Sequence, residues 1–516
     1  MAFVPTIDVA YSTKIGYILI FNLIVGTGAL ALPKAFHSAG CLLGVLLLSI
    51  SAFMSYVCAT FVVEGMAIAN AVALRNKLRA NKERSEKQLL AAYRIRKRVE
   101  MSGMARLFIG KYGVLLLNVI VAIYLFGDLA VYTVTVPKSV MNIICQSVNA
   151  STEDGHNACY NDWPNWLQRI TVYRFNVCLF VCFVAPLVLI GIHRTKFLQL
   201  STSICRWTAF TLMIVLACMQ LAREGSPSMP KMFNIHGFGS LFGTTVYAFM
   251  CHHSLPSIVT PMKSKRHIFI YLAMVYVLVL IFYLALAITG TFSFSHIFDV
   301  YSLNFLHSKT DTLHELLVNN FLALFPVFTL SSNYPIVACT LINNLTVQVD
   351  LISELFFSDT KMQVLGSSAM GFNPHYLLKL YTRKGNDPAC LLEDRPDSDP
   401  EIVVVDTISK IGQWRHYAIA LVVIASATLI AFCTDNVLML TSITGSYPGV
   451  GVQYIIPSII AIYGRRFSTL NIGAEVPRAV RSPFSSSLWP IAMLIWSAFI
   501  VLMVILESCH AFTYLP

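Results

Sequence analysis

Long apolar stretches recur along the whole chain, and short polar or charged segments separate them. A helix rises about 1.5 Å per residue, so crossing the roughly 30 Å hydrocarbon core of a bilayer takes about 20 mostly apolar residues. The pattern therefore predicts an all-α polytopic membrane protein with eleven transmembrane helices. The predicted spans are 15–37, 41–63, 113–145, 172–192, 197–221, 237–262, 268–291, 313–348, 415–434, 437–463 and 487–510.

The overall composition agrees with this prediction. Hydrophobic residues make up 56% of the chain and charged residues 12%, whereas an ordinary soluble chain carries about 25% charged residues. The first segment, MAFVPTIDVAYSTK, lacks the basic stretch and small-residue cleavage site of a signal peptide, so we expect the first span to remain as an anchor. No P-loop, GxSxG, HExxH or metal-binding Cys/His spacing is found, so we expect neither an enzyme nor a metal site.

The distribution of Lys and Arg predicts the orientation. Basic residues near the ends of spans stay on the cytoplasmic side, and the loop from Arg75 to Arg98 carries ten of them. We therefore expect residues 1–14 and this loop to be cytoplasmic and the C-terminal tail to be external or lumenal. Topology then accounts for the net charge of +11 without a nucleic acid partner. The loop either lies on the anionic inner leaflet or is solvated, and both interpretations are open.

Two loops carry signals of processing and sorting. The loop 146–171 is predicted to be external and contains the glycosylation sequon at Asn149, whereas Asn344 lies near the inner end of a span and is expected to stay unmodified. Cys145 immediately precedes this loop and Cys159 lies within it, and the two could form a disulfide in an oxidising compartment. The loop 350–412 is rich in Asp and Pro, and we expect it to be cytoplasmic and disordered.

The loop 350–412 also carries a candidate localisation signal. Asp387 and the pair Leu391 and Leu392 fit an acidic dileucine sorting pattern. This pattern leaves the plasma membrane and an endolysosomal membrane as candidate locations.

Two predicted spans contain residues that interrupt helices. Gly26, Thr27 and Gly28 lie in the middle of the first span, and the segment MCHHSLPS, 250–257, interrupts the sixth. Breaks five spans apart are typical of transporters built from inverted five-helix repeats, which bind substrate between the broken helices. Alternatively, the glycines serve close helix packing.

Five segments resemble the transmembrane protein 104 family, an outlying branch of the amino acid/auxin permeases. They are GYILIFNLIVGTGALALPKAFHSAG (16–40), YLFGDLAVY (124–132), HHSLPSIVTPMKSKRH (252–267), LFPVFTLSSNYPIVA (324–338) and ITGSYPGVGVQYIIPS (443–458). The resemblance implies the fold of sodium-coupled leucine transporters. In that fold, 15–221 and 237–463 are the paired repeats and 487–510 is an additional helix.

Helix breaks suggest where a zwitterion would bind. A helix N-terminus carries a partial positive charge and unpaired N–H groups, which suit a carboxylate, whereas an ammonium group needs free carbonyl oxygens. The predicted carboxylate site comprises Gly26, Thr27, Gly28, Ala29 and Leu30. The predicted ammonium site and its cover comprise Met250, Cys251, His252 and His253, with Tyr247 and Phe249 one turn earlier.

The coupling ion is left open by the sequence. Asn22 has the spacing to glycine found in related sodium-coupled neutral amino acid transporters, and Thr329, Ser331 and Ser332 lie where this fold completes a sodium site. Each of these polar groups could instead form only structural hydrogen bonds.

Protons are the alternative coupling ion. Asp128 lies at membrane depth, where a charge is costly, so it is either a proton carrier or the partner of Arg206. His252 and His253 titrate near physiological pH or are hydrogen-bonded structural residues.

These features favour a secondary active transporter of an amino acid or similar small zwitterion, coupled to Na⁺ or H⁺. The main alternative is an amino acid sensor that has a transporter fold and does not transport. A third alternative is a membrane scaffold with a degenerate site. The expected partners are the lipid bilayer and a small-molecule substrate, and the sequence identifies no protein partner.

Overall fold

A computed structural model describes residues 11–72, 91–145, 159–160, 163–164, 166–190, 196–227, 229–306, 313–364 and 402–513. The described residues are mostly helical. They contain no strand, and an isolated β-bridge joins Tyr11 and Met262. The all-α prediction is confirmed.

The described residues contain fifteen α-helices. The first eight are α1 (Thr13–Ile24), α2 (Gly28–Ala39), α3 (Cys41–Val72), α4 (Met101–Phe108), α5 (Lys111–Ile144), α6 (Arg169–Ile190), α7 (Lys196–Glu224) and α8 (Phe238–Ala248). The others are α9 (Leu255–Val259), α10 (Ile268–Ser293), α11 (Leu313–Val364), α12 (Ile402–Cys433), α13 (Val437–Thr444), α14 (Ile456–Phe467) and α15 (Leu488–Thr513).

Helix length and hydropathy support a multi-pass membrane protein. Among the described residues, eight helices are long and apolar enough to cross a membrane, and the bent pair α1 and α2 brings the number to nine. The two other predicted spans, 237–262 and 437–463, consist of shorter helical pieces. The count of eleven spans therefore stays a prediction.

Two of the predicted spans are broken, as the sequence predicts. α1 and α2 meet at an angle of 53° across Val25, Gly26 and Thr27. α8 ends at Ala248 and α9 begins at Leu255. The predicted break 250–257 therefore ends earlier than expected, at Ser254. Pro256 can lie in the first turn of α9, because the N–H that proline lacks would have no acceptor within the helix at that position.

The centre of the bundle depends on close approaches between helices. α5 packs most extensively against α11, and α8 packs against α2 and α13. A Cβ on Gly28 would lie 2.5 Å from the Cα of Ala248, so α2 and α8 touch backbone to backbone. Between α13 and α14 the backbone forms two π-helical turns, 445–449 and 451–455, a distortion that often marks functional sites.

Two buried ion pairs involve the segment from α13 to α14. Nζ of Lys138 lies 2.8 Å from Oδ2 of Asp299, which also accepts a hydrogen bond from the amide of Val437 at the start of α13. Near the end of α14, Arg465 binds Glu64 through two parallel hydrogen bonds of 3.0 and 2.8 Å. Ion pairs thus fix the start of α13 and the end of α14.

Several predicted boundaries are wrong because hydropathy marks only the apolar part of a helix, and these helices continue into polar sequence. α3 runs to Val72, and α11 and α12 convert both ends of the predicted disordered loop 350–412 into helix. The short helix α4 was not predicted. Asn149, Asp387 and the pair Leu391 and Leu392 lie outside the described residues.

The predicted disulfide between Cys145 and Cys159 is confirmed, with Cα atoms 4.8 Å apart. Asn344 lies within α11, and its side-chain amide donates to the carbonyl of Asn118 in α5. This packed position favours the prediction that Asn344 is not glycosylated.

Candidate functional site

Asp128 lies in the middle of α5 and contacts residues from both broken segments. The hydroxyl of Tyr247, at the end of α8, donates to the Asp128 carboxylate. The same hydroxyl lies 3.3 Å from Oγ1 of Thr27, at the break between α1 and α2. One carboxylate is therefore linked to both helix breaks.

Aromatic rings surround this carboxylate. The ring of Tyr124 lies 6.2 Å from that of Tyr247 and 5.6 Å from the imidazole of His253, measured between centroids. Tyr132 lies one turn after Asp128 on α5, and its hydroxyl interacts with Asp128 and Thr27. Thr27 and Tyr247 are buried, while Asp128 keeps part of its surface accessible. A polar group at membrane depth with accessible surface among buried neighbours is typical of a site rather than of packing.

Backbone N–H groups at the first break are only partly available. The amides of Ala29 and Leu30 donate to the carbonyls of Gly26 and Thr27 at 3.2 and 3.0 Å. The amides of Gly26, Thr27 and Gly28 have no acceptor among the described residues. This narrows the amides of the predicted carboxylate site to these three residues, because those of Ala29 and Leu30 are already satisfied.

The two glycines differ in their surroundings. An added Cβ on Gly26 would have only the carbonyl oxygen of Ile24 within 4 Å, at 3.9 Å, whereas Gly28 is pressed against Ala248. Gly26 is thus the glycine with open space beside it. The missing side chain of Gly28 allows close packing, which was the alternative interpretation of the pattern.

The break after α8 divides its residues between two environments. Phe249 packs against the rings of Tyr276 and Tyr283 of α10. The thiol of Cys251 lies 3.2 Å from the hydroxyl of Tyr276. These two side chains therefore face α10 rather than Asp128.

The two histidines also separate. Nε2 of His252 lies 3.0 Å from the carbonyl of Ser55 in α3, and the side chain is fully buried. Only His253 faces the tyrosines near Asp128. The carbonyl oxygens of Met250, His252 and His253 accept no hydrogen bond from the described residues, as an ammonium site requires.

Arg206 caps the end of α1 instead of pairing with Asp128. Its Nη1 donates to the carbonyls of Asn22 and Val25 at 3.0 and 2.9 Å. Among the ion pairs within the described ranges, none joins Arg206 to Asp128. The alternative that Asp128 is a structural partner of Arg206 is therefore wrong. A cation at this position also suits the negative end of the half-helix dipole.

Tyr283 connects the carboxyl ends of the two half-helices. Its hydroxyl lies 3.0 Å from the carbonyl of Ile24 in α1 and 3.0 Å from that of Ala248 in α8. Sequence reasoning missed Tyr283, Tyr132 and Tyr124 as parts of the site. Their only signal was that each tyrosine places a hydroxyl inside an apolar span, where it needs a partner.

The residues predicted to bind sodium differ in whether their polar atoms already have hydrogen-bond partners. Thr329 and Ser332 donate to carbonyls one turn earlier in their own helix, those of Phe325 and Phe328. Oδ1 of Asn22 is buried and has no hydrogen-bond partner within the part of the chain that the structure describes. Ser331 is half-buried on α11. In the same described ranges, no group of three or more His, Cys, Asp or Glu side chains is placed to hold a metal ion.

The sequence of the chain is similar to those of known membrane proteins. Residues 10–506 match the family described as transmembrane amino acid transporter protein. The chain is 43% identical over 498 residues to the transmembrane protein 104 homolog of Caenorhabditis elegans, with 96% of each chain covered. It is 35% identical over 523 residues to human transmembrane protein 104, with 94% of each covered. The Dictyostelium discoideum homolog is 30% identical over 556 residues, covering 96% of this chain and 97% of the relative.

Proposed function

The chain belongs to the transmembrane amino acid transporter family, and on this basis we propose that it carries an amino acid or a similar small zwitterion across a membrane. The transport is secondary active and proceeds by alternating access. In this proposal the chain crosses the membrane eleven times, and 15–221 and 237–463 form two inverted repeats. The breaks after α1 and after α8, at corresponding places in these segments, support the arrangement.

The observation that carries the proposal is the position of Asp128. It is linked through the Tyr247 hydroxyl to the end of α8 and, through the same hydroxyl, to Thr27 at the first break. The free amides of Thr27 and Gly28 and the free carbonyls of Met250 and His253 provide opposite polarities for the two ends of a zwitterion.

The surroundings of Arg206 favour H⁺ over Na⁺ as the coupling ion. A sodium ion at the end of α1 would use carbonyl oxygens such as those of Asn22 and Val25. The guanidinium group of Arg206 already binds these oxygens. A fixed cation there repels a second one. Asp128 is then the group that can bind and release the coupling ion.

Protonation of Asp128 provides a physical link between the ion and the conformation. A hydrogen bond to a charged carboxylate is about twice as strong as one between neutral groups. Adding a proton to Asp128 therefore weakens its hold on Tyr247 and releases α8 relative to α5. A proton thus acts as a ligand that shifts the balance between two conformations.

Reconstitution tests the proposal. The purified protein is placed in liposomes, and uptake from a panel of amino acids is measured under imposed pH and Na⁺ gradients. Saturable accumulation driven by an inward proton gradient is expected for at least one amino acid. Saturable binding without gradient-driven accumulation would instead indicate the sensor function.

A further inference from the structure

A basic pocket lies at the end of the molecule that carries the first described residues. It is a cavity of about 480 Å³ between the start of α10 and the connection from α14 to α15. Tyr11 pairs with Pro261 and Lys263, a few residues before α10, so the pocket and the N-terminal segment share one side. Its basic and apolar lining residues are Arg266, His267, Phe269, Ile270, Arg478 and Arg481.

The positive charge of the pocket is largely uncompensated. Arg266 and Arg478 are exposed and form no ion pair within the described residues. Arg481 lies 3.6 Å from Glu475, whose side chain is 79% exposed, and such exposed pairs are weak. The amino end of α10 adds the positive end of a helix dipole.

The walls of the pocket are held in place by buried contacts. The hydroxyl of Ser482 lies 2.7 Å from that of Thr60 in α3. The carbonyl of Ser485 accepts a hydrogen bond of 3.1 Å from Arg465, which is itself fixed by Glu64. The connection that carries Arg478 and Arg481 is thus anchored to α3 and α14.

The pocket also borders the exposed apolar surface of α10. Ile270 lines it and is 56% exposed, and it lies at the start of α10, a helix long and apolar enough to span the membrane. A ligand in this position would meet arginines at one end and hydrocarbon at the other. A free anion in water would gain no binding energy from the apolar wall of the pocket.

We propose that this pocket binds the headgroup of an anionic membrane lipid that carries more than one phosphate, such as a phosphoinositide. Three guanidinium groups around a cavity much larger than one phosphate match several phosphate groups better than one. Basic pockets between transmembrane segments bind such headgroups in other membrane proteins. The proposal is independent of transport at Asp128.

Titration with a short-chain lipid tests this proposal. The purified full chain in phosphatidylcholine nanodiscs is titrated with dioctanoyl phosphatidylinositol 4,5-bisphosphate, and the Kd is measured. Replacing Arg266, Arg478 and Arg481 by Gln is expected to weaken binding about 100-fold, since each arginine near the surface contributes roughly a factor of ten or less. The single variant Arg478→Gln, at an exposed position, is expected to weaken it up to about tenfold and guards against misfolding of the triple variant.

A charge-matched control separates the pocket from general attraction. Arg98, Arg106 and Arg466 do not line the pocket, and replacing all three by Gln lowers the net charge equally. Binding in this control should equal that of the unmodified protein. Equal losses in both triple variants, or no loss in the pocket variant, would overturn the site. Inositol 1,4,5-trisphosphate should bind more weakly than the lipid, and equal affinity would overturn its assignment to a lipid.

Discussion

The Tyr247 hydroxyl donates a hydrogen bond to the carboxylate of Asp128, and this bond connects the end of α8 to the middle of α5. The same hydroxyl oxygen lies 3.3 Å from Oγ1 of Thr27. A change in the charge of Asp128 therefore alters the hydrogen bonding at both helix breaks. This relationship is the basis of the transport proposal.

Removal of the Tyr247 hydroxyl should impair transport. The variant Tyr247→Phe keeps the ring but loses the hydrogen bond to Asp128, and hydrogen bonds to charged groups contribute about 1.5–3 kcal/mol. We expect the initial rate of proton-driven uptake in liposomes to fall about tenfold or more. Tyr112→Phe is the matched control, because Tyr112 is 79% exposed at the start of α5. An equal loss in both variants would argue against a specific role of Tyr247.

The two glycines at the first break should respond differently to alanine. Gly28→Ala places a Cβ against the backbone of Ala248 and should lower the free energy of unfolding by about 1–3 kcal/mol. Gly26→Ala has space for its Cβ and should keep the stability while reducing uptake, because the methyl group narrows the carboxylate site. Thermal unfolding monitored by size-exclusion chromatography and uptake in liposomes measure the two effects. Equal stability of both variants would contradict the packing role of Gly28.

Transport should not depend on sodium. Arg206 binds the carbonyls of Asn22 and Val25, so its guanidinium charge would repel a Na⁺ ion at these oxygens. Replacing Na⁺ by K⁺ or N-methylglucamine at constant pH should leave the rate of uptake unchanged. A rate that rises and saturates with the Na⁺ concentration would contradict this account of Arg206.

The buried pair between Glu64 and Arg465 should be important for stability. Glu64→Gln leaves Arg465 without its charged partner, and breaking a buried pair costs about 3–5 kcal/mol. Glu475→Gln is a suitable control, because its pair with Arg481 is exposed and such pairs contribute about 1 kcal/mol or less. We expect the first variant, and not the second, to unfold at a clearly lower temperature. Similar unfolding temperatures for the two variants would show that the pair at Glu64 is not stabilising.

The sequence predicted the helix breaks because their causes are local. Glycines and prolines act on the backbone wherever they occur, so the interruptions near Gly26 and Met250 were visible without tertiary structure. The disulfide of Cys145 and Cys159 was predictable for a similar reason, since Cys145 immediately precedes the loop 146–171 and Cys159 lies within it.

The partners within the site were not predictable in this way. The sequence left Asp128 as a proton carrier or as the partner of Arg206, and it did not identify Tyr247 as the hydrogen-bond donor to Asp128. The choice depends on how each helix is rotated about its axis, and the nearly uniform apolar character of these spans does not encode that rotation. The π-helical turns after α13 were missed because they insert extra residues into a turn without altering hydrophobicity.

The boundaries of the longest helices were missed for another reason. Hydropathy detects only the part of a helix that lies in hydrocarbon, so the polar extension of α11 to Val364 left no signal.

The central claim is that Asp128 carries the coupling proton, and the variant Asp128→Asn tests it most directly. Liposomes containing this variant are assayed twice, once for accumulation driven by an inward proton gradient and once for exchange of labelled against unlabelled substrate without a gradient. We expect accumulation to be lost and exchange to remain, because the amide preserves the shape of the site but does not take up a proton. Accumulation with an unchanged pH profile would contradict the claim.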